Sequence, residues 1–349
     1  MKVKKATALL MAAIMTLSMT ACGNSAEAPA DTAASVESGT AADTAADTAG
    51  DTTTPDGQVY NIGICQLVQH EALDAATLGF KEALTAALGE NVVFDEQNAS
   101  GDSATCATIV NQFVANDVDL IMANATPALQ AAVASTADIP IVATSITDYA
   151  TALDISDWTG TTGINVTGTA DLAPLAEQAA MVKELVPDAK KVGILYCSAE
   201  PNSKYQSGVV TKELETMGFE VEEFTFADSN DIMQVTQTAV DSCDVIYVPT
   251  DNTVASNTEI INGVAEDAGI PIIAGEEGIC KGCGIATLSI DYYSIGYRAG
   301  EMAADILVNG ADPAAMEIDF ATELTKKVMT SRCETLGITV PEGYEAIAE

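Results

Sequence analysis

Val59 to Leu67 is a short, largely apolar run, long enough for a buried strand. Residues 68–71 are polar or turn-like, and from Ala72 the period changes. Leu73, Ala76, Phe80, Ala83, Leu84, Ala87 and Leu88 then recur at helical spacing and form one stripe. A buried strand feeding an amphipathic helix through a polar turn predicts the first βα unit of a parallel sheet. The alternation continues. Strands are predicted over Asn91–Gln97, Asp119–Ala123, Ile139–Ala143 and Thr162–Val166. A helix over Asp102–Ala115 and one opening at Thr126-Pro127, with Thr as cap and Pro at the first position, lie between them. Residues 147–161 read as irregular.

A second series starts with a helix over Asp171–Val186, closed by Pro187. The strands Lys191–Tyr196, Glu220–Phe226, Asp244–Val248, Ile270–Ala274 and Ile285–Ser289 follow. They alternate with helices over Ser203–Met217, Ile232–Val240 and Val254–Ala268, and Tyr292–Leu307 is a long final helix. Lys191-Val-Gly-Ile-Leu-Tyr196 echoes Tyr60-Asn-Ile-Gly-Ile-Cys65. Two series of about a hundred residues each suggest two doubly wound α/β lobes. A (β/α)8 barrel would alternate in the same way. The irregular break and the restart at Lys191 favour two lobes.

Composition alters this picture at the amino end. Lys2, Lys4 and Lys5 precede an apolar stretch, Ala6–Met19, that ends in Met19-Thr-Ala-Cys22-Gly. The stretch is too short to span a bilayer comfortably and has the layout of a signal peptide. It resembles a bacterial lipoprotein signal, although Met19 stands where Leu is usual. That resemblance implies an acylated (palmitate-type) Cys22 as first mature residue and a membrane-anchored chain facing the extracytoplasmic side. Residues 23–57 carry seven acids, no Lys or Arg and almost nothing to bury, which predicts a disordered tether. With 14 basic and 51 acidic residues the net charge is −37, so nucleic acid is not an expected partner.

Enzyme signatures are scarce. No phosphate-binding glycine loop follows a strand, so no cofactor is expected, and His70 is the only histidine, which leaves no metal site built on several imidazoles. His70 reads as a turn residue shaping the first loop. Cys280-Lys-Gly-Cys283 lacks the second pair that a zinc ribbon needs and reads as a loop, its thiols free or bonded. The informative pattern lies at the carboxyl ends of strands, where open α/β sheets bind ligands. Gln66 ends the first strand. Thr126 and Ser145 follow the third and fourth, and Asn165 stands at the expected lobe junction. In the second series Ser198, Glu200 and Asn202 follow one strand, and Thr250, Asp251 and Asn252 another. Glu276, Asp291 and Tyr292 border the last two.

Together Ile62-Gly-Ile-Cys-Gln66, His70-Glu-Ala-Leu-Asp74, Gln97-Asn-Ala, Thr162-Gly-Ile-Asn-Val-Thr-Gly168, Val248-Pro-Thr-Asp-Asn-Thr253 and Ile290-Asp-Tyr-Tyr-Ser-Ile-Gly296 resemble one family. It is the ABC-transporter substrate-binding lipoproteins of the tryptophan/tyrosine-type branch. The resemblance spans about residues 59–340. It implies a type I periplasmic-binding-protein fold and no enzyme activity. The two lobes would be joined by three crossovers and close over a small ligand, an aromatic amino acid above all. A membrane permease is the implied partner, and a monomer is expected. On that fold the crossovers are expected near 165–166, 289–291 and 321–325. Lobe one is then 58–165 plus 291–321, and lobe two 166–290 plus 322–349. An amino acid's carboxylate would be held by Thr126 and Ser145, and its ammonium by Asp251 or Glu200. Gln66, Asn165 and Asn202 would line the cleft, with Tyr205 or Tyr292 near the side chain. A ligand-sensing or enzymatic surface lipoprotein on the same fold, or a binder of another small polar metabolite, are the alternatives.

Overall fold

In the computed structural model, which describes residues 57–348, the first apolar run is strand β1 (Tyr60–Gln66). It opens a series α1 (Glu71–Leu88), β2 (Val92–Asn98), α2 (Ser103–Ala115), β3 (Leu120–Asn124), α3 (Thr126–Ser135), β4 (Ile141–Ile146), α4 (Tyr149–Ala152) and β5 (Val166–Ala170). The second series is α5 (Leu175–Leu185), β6 (Lys191–Cys197), α6 (Pro201–Thr216), β7 (Glu220–Phe226), α7 (Ile232–Val240), β8 (Val245–Val248), α8 (Asn252–Ala255), α9 (Thr258–Ala268), β9 (Ile272–Ala274), α10 (Glu277–Cys283) and β10 (Ala286–Ile290). The chain then returns through α11 (Tyr292–Ala304), a π turn at Asp305–Asn309, and β11 (Asp319–Phe320). It ends in β12 (Leu324–Val328), α12 (Thr330–Thr335) and β13 (Glu345–Ala346).

The strands form two sheets. The first has the order β11-β5-β4-β3-β1-β2 and is parallel throughout. The second has the order β13-β12-β10-β9-β8-β6-β7 and is parallel except where β12 runs against β10. Each sheet is covered on both faces, as parallel sheets require. In the first lobe Phe80 and Leu84 of α1 and Ala299 and Ala303 of α11 pack on one face, and Phe113 of α2 and Leu129 of α3 on the other. In the second lobe α5 and α6 cover one face and α7, α9 and α10 the other.

Helices α1 and α11 meet almost backbone to backbone. A Cβ on Gly296 would stand 2.0 Å from the Ala76 carbonyl oxygen, and one on Gly79 2.2 Å from that of Tyr293. Only glycine permits this approach. It locks together the two helices whose first turns, at Glu71 and Tyr292, border the cleft.

Several expectations are corrected. The strand expected at Thr162–Val166 lies at Val166–Ala170, where all five residues are buried. It pairs with β4, so residues 166–170 belong to the first lobe, and the first crossover follows at 171–174 instead of 165–166. The other crossings lie between β10 and α11 and between β11 and β12. Thr126 is not a cap: Ala125, at φ 85°, holds that position and Thr126 is inside α3. The helix expected over Val254–Ala268 is two, α8 and α9, because Asp251 caps a short first turn that ends before Asn257. Cys280 and Cys283 lie on a helix, not in a loop. Their thiols are free and buried, and Arg332 donates to the carbonyls of Cys280, Gly282 and Gly284 at the helix end.

Candidate functional site

The carboxyl ends of the two sheets face each other across a narrow cavity of about 10 Å3. From the first lobe and its hinge come His70 and Leu73 before and within α1, Ser145 and Thr147 at the end of β4, Asp171 after β5, and Tyr292 at the start of α11. From the second come Asn202 in the first turn of α6, Thr250, Asp251, Asn252 and Ala255 after β8, and Glu276 after β9.

The walls touch. His70 Nε2 lies 3.2 Å from Asn252 Oδ1, Gln206 donates to the Thr147 hydroxyl at 3.3 Å, and Lys281 pairs with Glu71 at 3.3 Å. The Asn252 amide donates to Glu200 at 2.7 Å, which turns its oxygen towards the imidazole. His70 therefore presents a protonated Nε2 to Asn252. Burial holds the ring's pKa below its ordinary value.

Three features give the cavity its chemistry. Asp171 is buried and accepts the Tyr292 hydroxyl at 2.8 Å and the Thr147 hydroxyl at 3.2 Å. Burial pushes its carboxyl above the usual range. Ser145 Oγ, from the first lobe, is buried without a hydrogen-bond partner among the described residues. Asn202 Oδ1, from the second, is likewise buried and unpartnered, while its amide nitrogen donates to Glu200 and to the Thr250 carbonyl. A buried donor, a buried acceptor and a buried carboxyl thus border one small space, and unpaired buried polar atoms are costly enough to need a reason.

Of the residues expected at the site, Ser145, Asn202, Thr250, Asp251, Asn252, Glu276 and Tyr292 line this cavity. Others do not. Asn165 stands at the amino end of β5, the opposite end of the sheet, and donates to the carbonyls of Thr136 and Ile139. Gln66 braces the β1–α1 turn, donating to Asp74 and the Val68 carbonyl and accepting from Thr77. Ser198 is tied to the Phe226 carbonyl at the β7 edge. Asp291 caps α11 through Ser294, and Tyr205 packs half-buried on α6. Thr126 is buried in α3, away from the cavity.

The two carboxylates expected to meet an ammonium are engaged within the second lobe. Asp251 accepts the N–H groups of Val254 and Cys197 and the Ser203 hydroxyl. Burial, with the nearby charge of Glu200, pushes it up to about 8. Glu200 accepts from the backbone and side chains of Asn252 and Thr253. Both carboxylates brace α8. Glu276 caps α10 and is pushed up by burial to about 7. Sequence reasoning passed over Asp171, which read as a helix start, and Thr147 and His70, which read as loop residues. Their position at strand ends was the available signal.

A model of the family described as ABC transporter substrate binding protein matches residues 61–349. The chain belongs to this family of ABC transporter substrate-binding proteins. A tyrosine-binding protein of Clostridioides difficile (strain R20291) is 40% identical over 250 residues, 71% of this chain and 72% of the relative. The crystal structure of an ABC domain in complex with L-Trp from Streptococcus pneumonia shares 32% identity at a TM-score of 0.79, covering 83% of this chain and all of the other. A substrate-binding protein with adhesive properties from Clostridium difficile, solved in a ligand-free, open form, shares 37% identity at a TM-score of 0.63, covering 83% and 99%. The fold is that of the type I periplasmic-binding proteins. This substrate-binding protein superposes better on the L-Trp complex than on the open form despite the lower identity, in keeping with lobes that touch across the cleft. Such proteins are the extracytoplasmic components of ABC importers, and no helix among the described residues is long and apolar enough to cross a membrane.

Proposed function

We propose that this substrate-binding protein captures a free aromatic amino acid, tyrosine or tryptophan, between its lobes and presents the closed form to a membrane permease. It does so as a monomer held at the membrane by lipid on Cys22, which lies outside the described residues, as do residues 23–56 of the tether. The observation that carries the ligand reading is Asp171, a buried carboxyl between the two lobes. A ligand ammonium beside it would offset the cost of burying its charge. Asn202 Oδ1 supplies a second acceptor to that ammonium, and the Ser145 hydroxyl donates to the ligand's carboxylate. One donor and the carboxyl come from the first lobe and its hinge and a second acceptor from the second, so the full set of contacts exists only on closure, and ligand shifts the population towards the closed form. Relatives that bind tyrosine and L-Trp support the same side-chain class. The protein carries out no reaction on the ligand.

Thermal unfolding against the twenty amino acids tests this. At a hundred times its Kd a ligand stabilises the folded state by about 2.7 kcal/mol. Tyrosine or tryptophan should raise the melting temperature and aliphatic amino acids should not. A panel in which no amino acid acts, while another polar metabolite does, would overturn the assignment.

A further inference from the structure

Ser145 reaches the cleft through an irregularity in its strand. The β4–β5 register shifts between Ala143 and Ile146, and Ser145 sits inside the shift at φ 57°, a conformation that costs a serine energy. Ser145 lines the cavity, and its hydroxyl is buried and unpartnered among the described residues. Two carbonyls beside the irregularity are met by one side chain. The Tyr149 hydroxyl lies 3.0 Å from the Ala143 oxygen and 3.1 Å from that of Thr169, one on each strand. Gly168 leaves the room: a Cβ there would stand 1.8 Å from the Ala143 oxygen and 2.6 Å from the Tyr149 hydroxyl.

We propose that Tyr149 is a positioning residue for ligand recognition: it clamps the β4 bulge so that Ser145 is aimed at the ligand's carboxylate. Tyr149 itself does not line the cavity. Burial and the neighbouring Asp171 hold its phenol well above the ordinary value, so it remains a donor at every physiological pH. The clamp also explains why a strained serine persists here. Two strands and a buried ring over-determine its backbone, and strain of this kind gathers at ligand contacts.

The inference rests on the amino-acid reading above, and the test separates the two. Affinities for tyrosine, and for tyramine, which lacks the carboxylate, are measured by calorimetry for wild type, Tyr149→Phe, Ser145→Gly and the double variant. Glycine accepts the backbone angle without strain and removes the CH2OH side chain, hydroxyl included. Each single change should weaken tyrosine about tenfold, the loss expected for one buried hydrogen bond. The double variant should be no weaker than the worse single one, because Tyr149 acts through Ser145. Tyramine affinity should not move. If Ser145→Gly is silent, the carboxylate lies elsewhere and the site reading fails. If Ser145→Gly weakens binding but Tyr149→Phe is silent or simply additive, the positioning role alone is refuted. Hydrogen exchange on the wild type stands even if Tyr149→Phe does not fold. Amides of residues 143–149 should slow with tyrosine but not with tyramine, and equal protection by both would overturn the inference.

Discussion

Replacing Asp171 by Asn separates binding from stability. The carboxyl is 5% exposed, and its two partners are hydroxyls, those of Tyr292 at 2.8 Å and Thr147 at 3.2 Å. It thus lies buried with hydrogen bonds but, among the described residues, no paired cation, and burial raises its pKa. Amide for carboxyl keeps the shape and one acceptor. It removes the charge and turns an NH2 donor towards any ammonium in the cleft. Truncating one member of a buried, hydrogen-bonded charge pair costs about 2–5 kcal/mol, much of it from the partner left unpaired. At about 1.4 kcal/mol per decade this is a loss of roughly 30-fold to several thousand-fold in affinity. The ligand-free protein should be as stable as wild type at neutral pH, or more so, because a carboxyl that burial disfavours is gone. Calorimetry with tyrosine or tryptophan gives the first quantity and thermal unfolding without ligand the second. Binding within about threefold of wild type would refute the placement of the ammonium at Asp171. A large loss of stability accompanying weak binding would show that the residue is structural.

Three further outcomes follow from the same geometry. Gly296→Ala puts a Cβ 2.0 Å from the Ala76 carbonyl oxygen, which no side-chain movement relieves. It should cost about 2 kcal/mol or more and lower the melting temperature by roughly 4 °C or more; an unchanged melting curve would show that α1 and α11 separate freely. Asp251, pushed up to about 8 by burial and by Glu200, binds its proton more tightly when folded than unfolded. Its contribution to stability is therefore full below about pH 4 and is lost as pH rises towards 8. Urea unfolding from pH 5 to 8 should show a steeper decline for wild type than for Asp251→Asn, and parallel slopes would contradict the shift. Cys22→Ala should move the protein from the membrane to the soluble fraction with ligand binding unchanged, if lipid is the only anchor; retention in the membrane of a variant whose signal is cleaved would reject the lipoprotein reading.

What the sequence determined by itself is the set of elements with one clear period. Glu220–Phe226 and Ile232–Val240 fall where alternation and helical spacing put them, and the stripe Leu73–Leu88 is buried as read except at Ala87, which is exposed. Burial of one face is a local property, so local pattern reveals it. The two lobes were legible for the same reason, and half of the residues expected at strand carboxyl ends line the cavity. Tertiary structure alone decided the rest. Val-Thr-Gly-Thr-Ala at 166–170 does not look like a buried strand, because its hydroxyls are satisfied by partners far along the chain: the Thr169 hydroxyl donates to the Ile295 carbonyl and can accept from that of Thr144. Asp251 and Asp171 have similar local surroundings, each an acid between a strand and a helix. Both find donors on their own side of the cleft, Asp251 at Val254, Cys197 and Ser203, and Asp171 at Thr147 and at Tyr292, 121 residues away. Which carboxylate remains for a ligand depends on those distant hydrogen bonds, and spacing along the chain carries no trace of them.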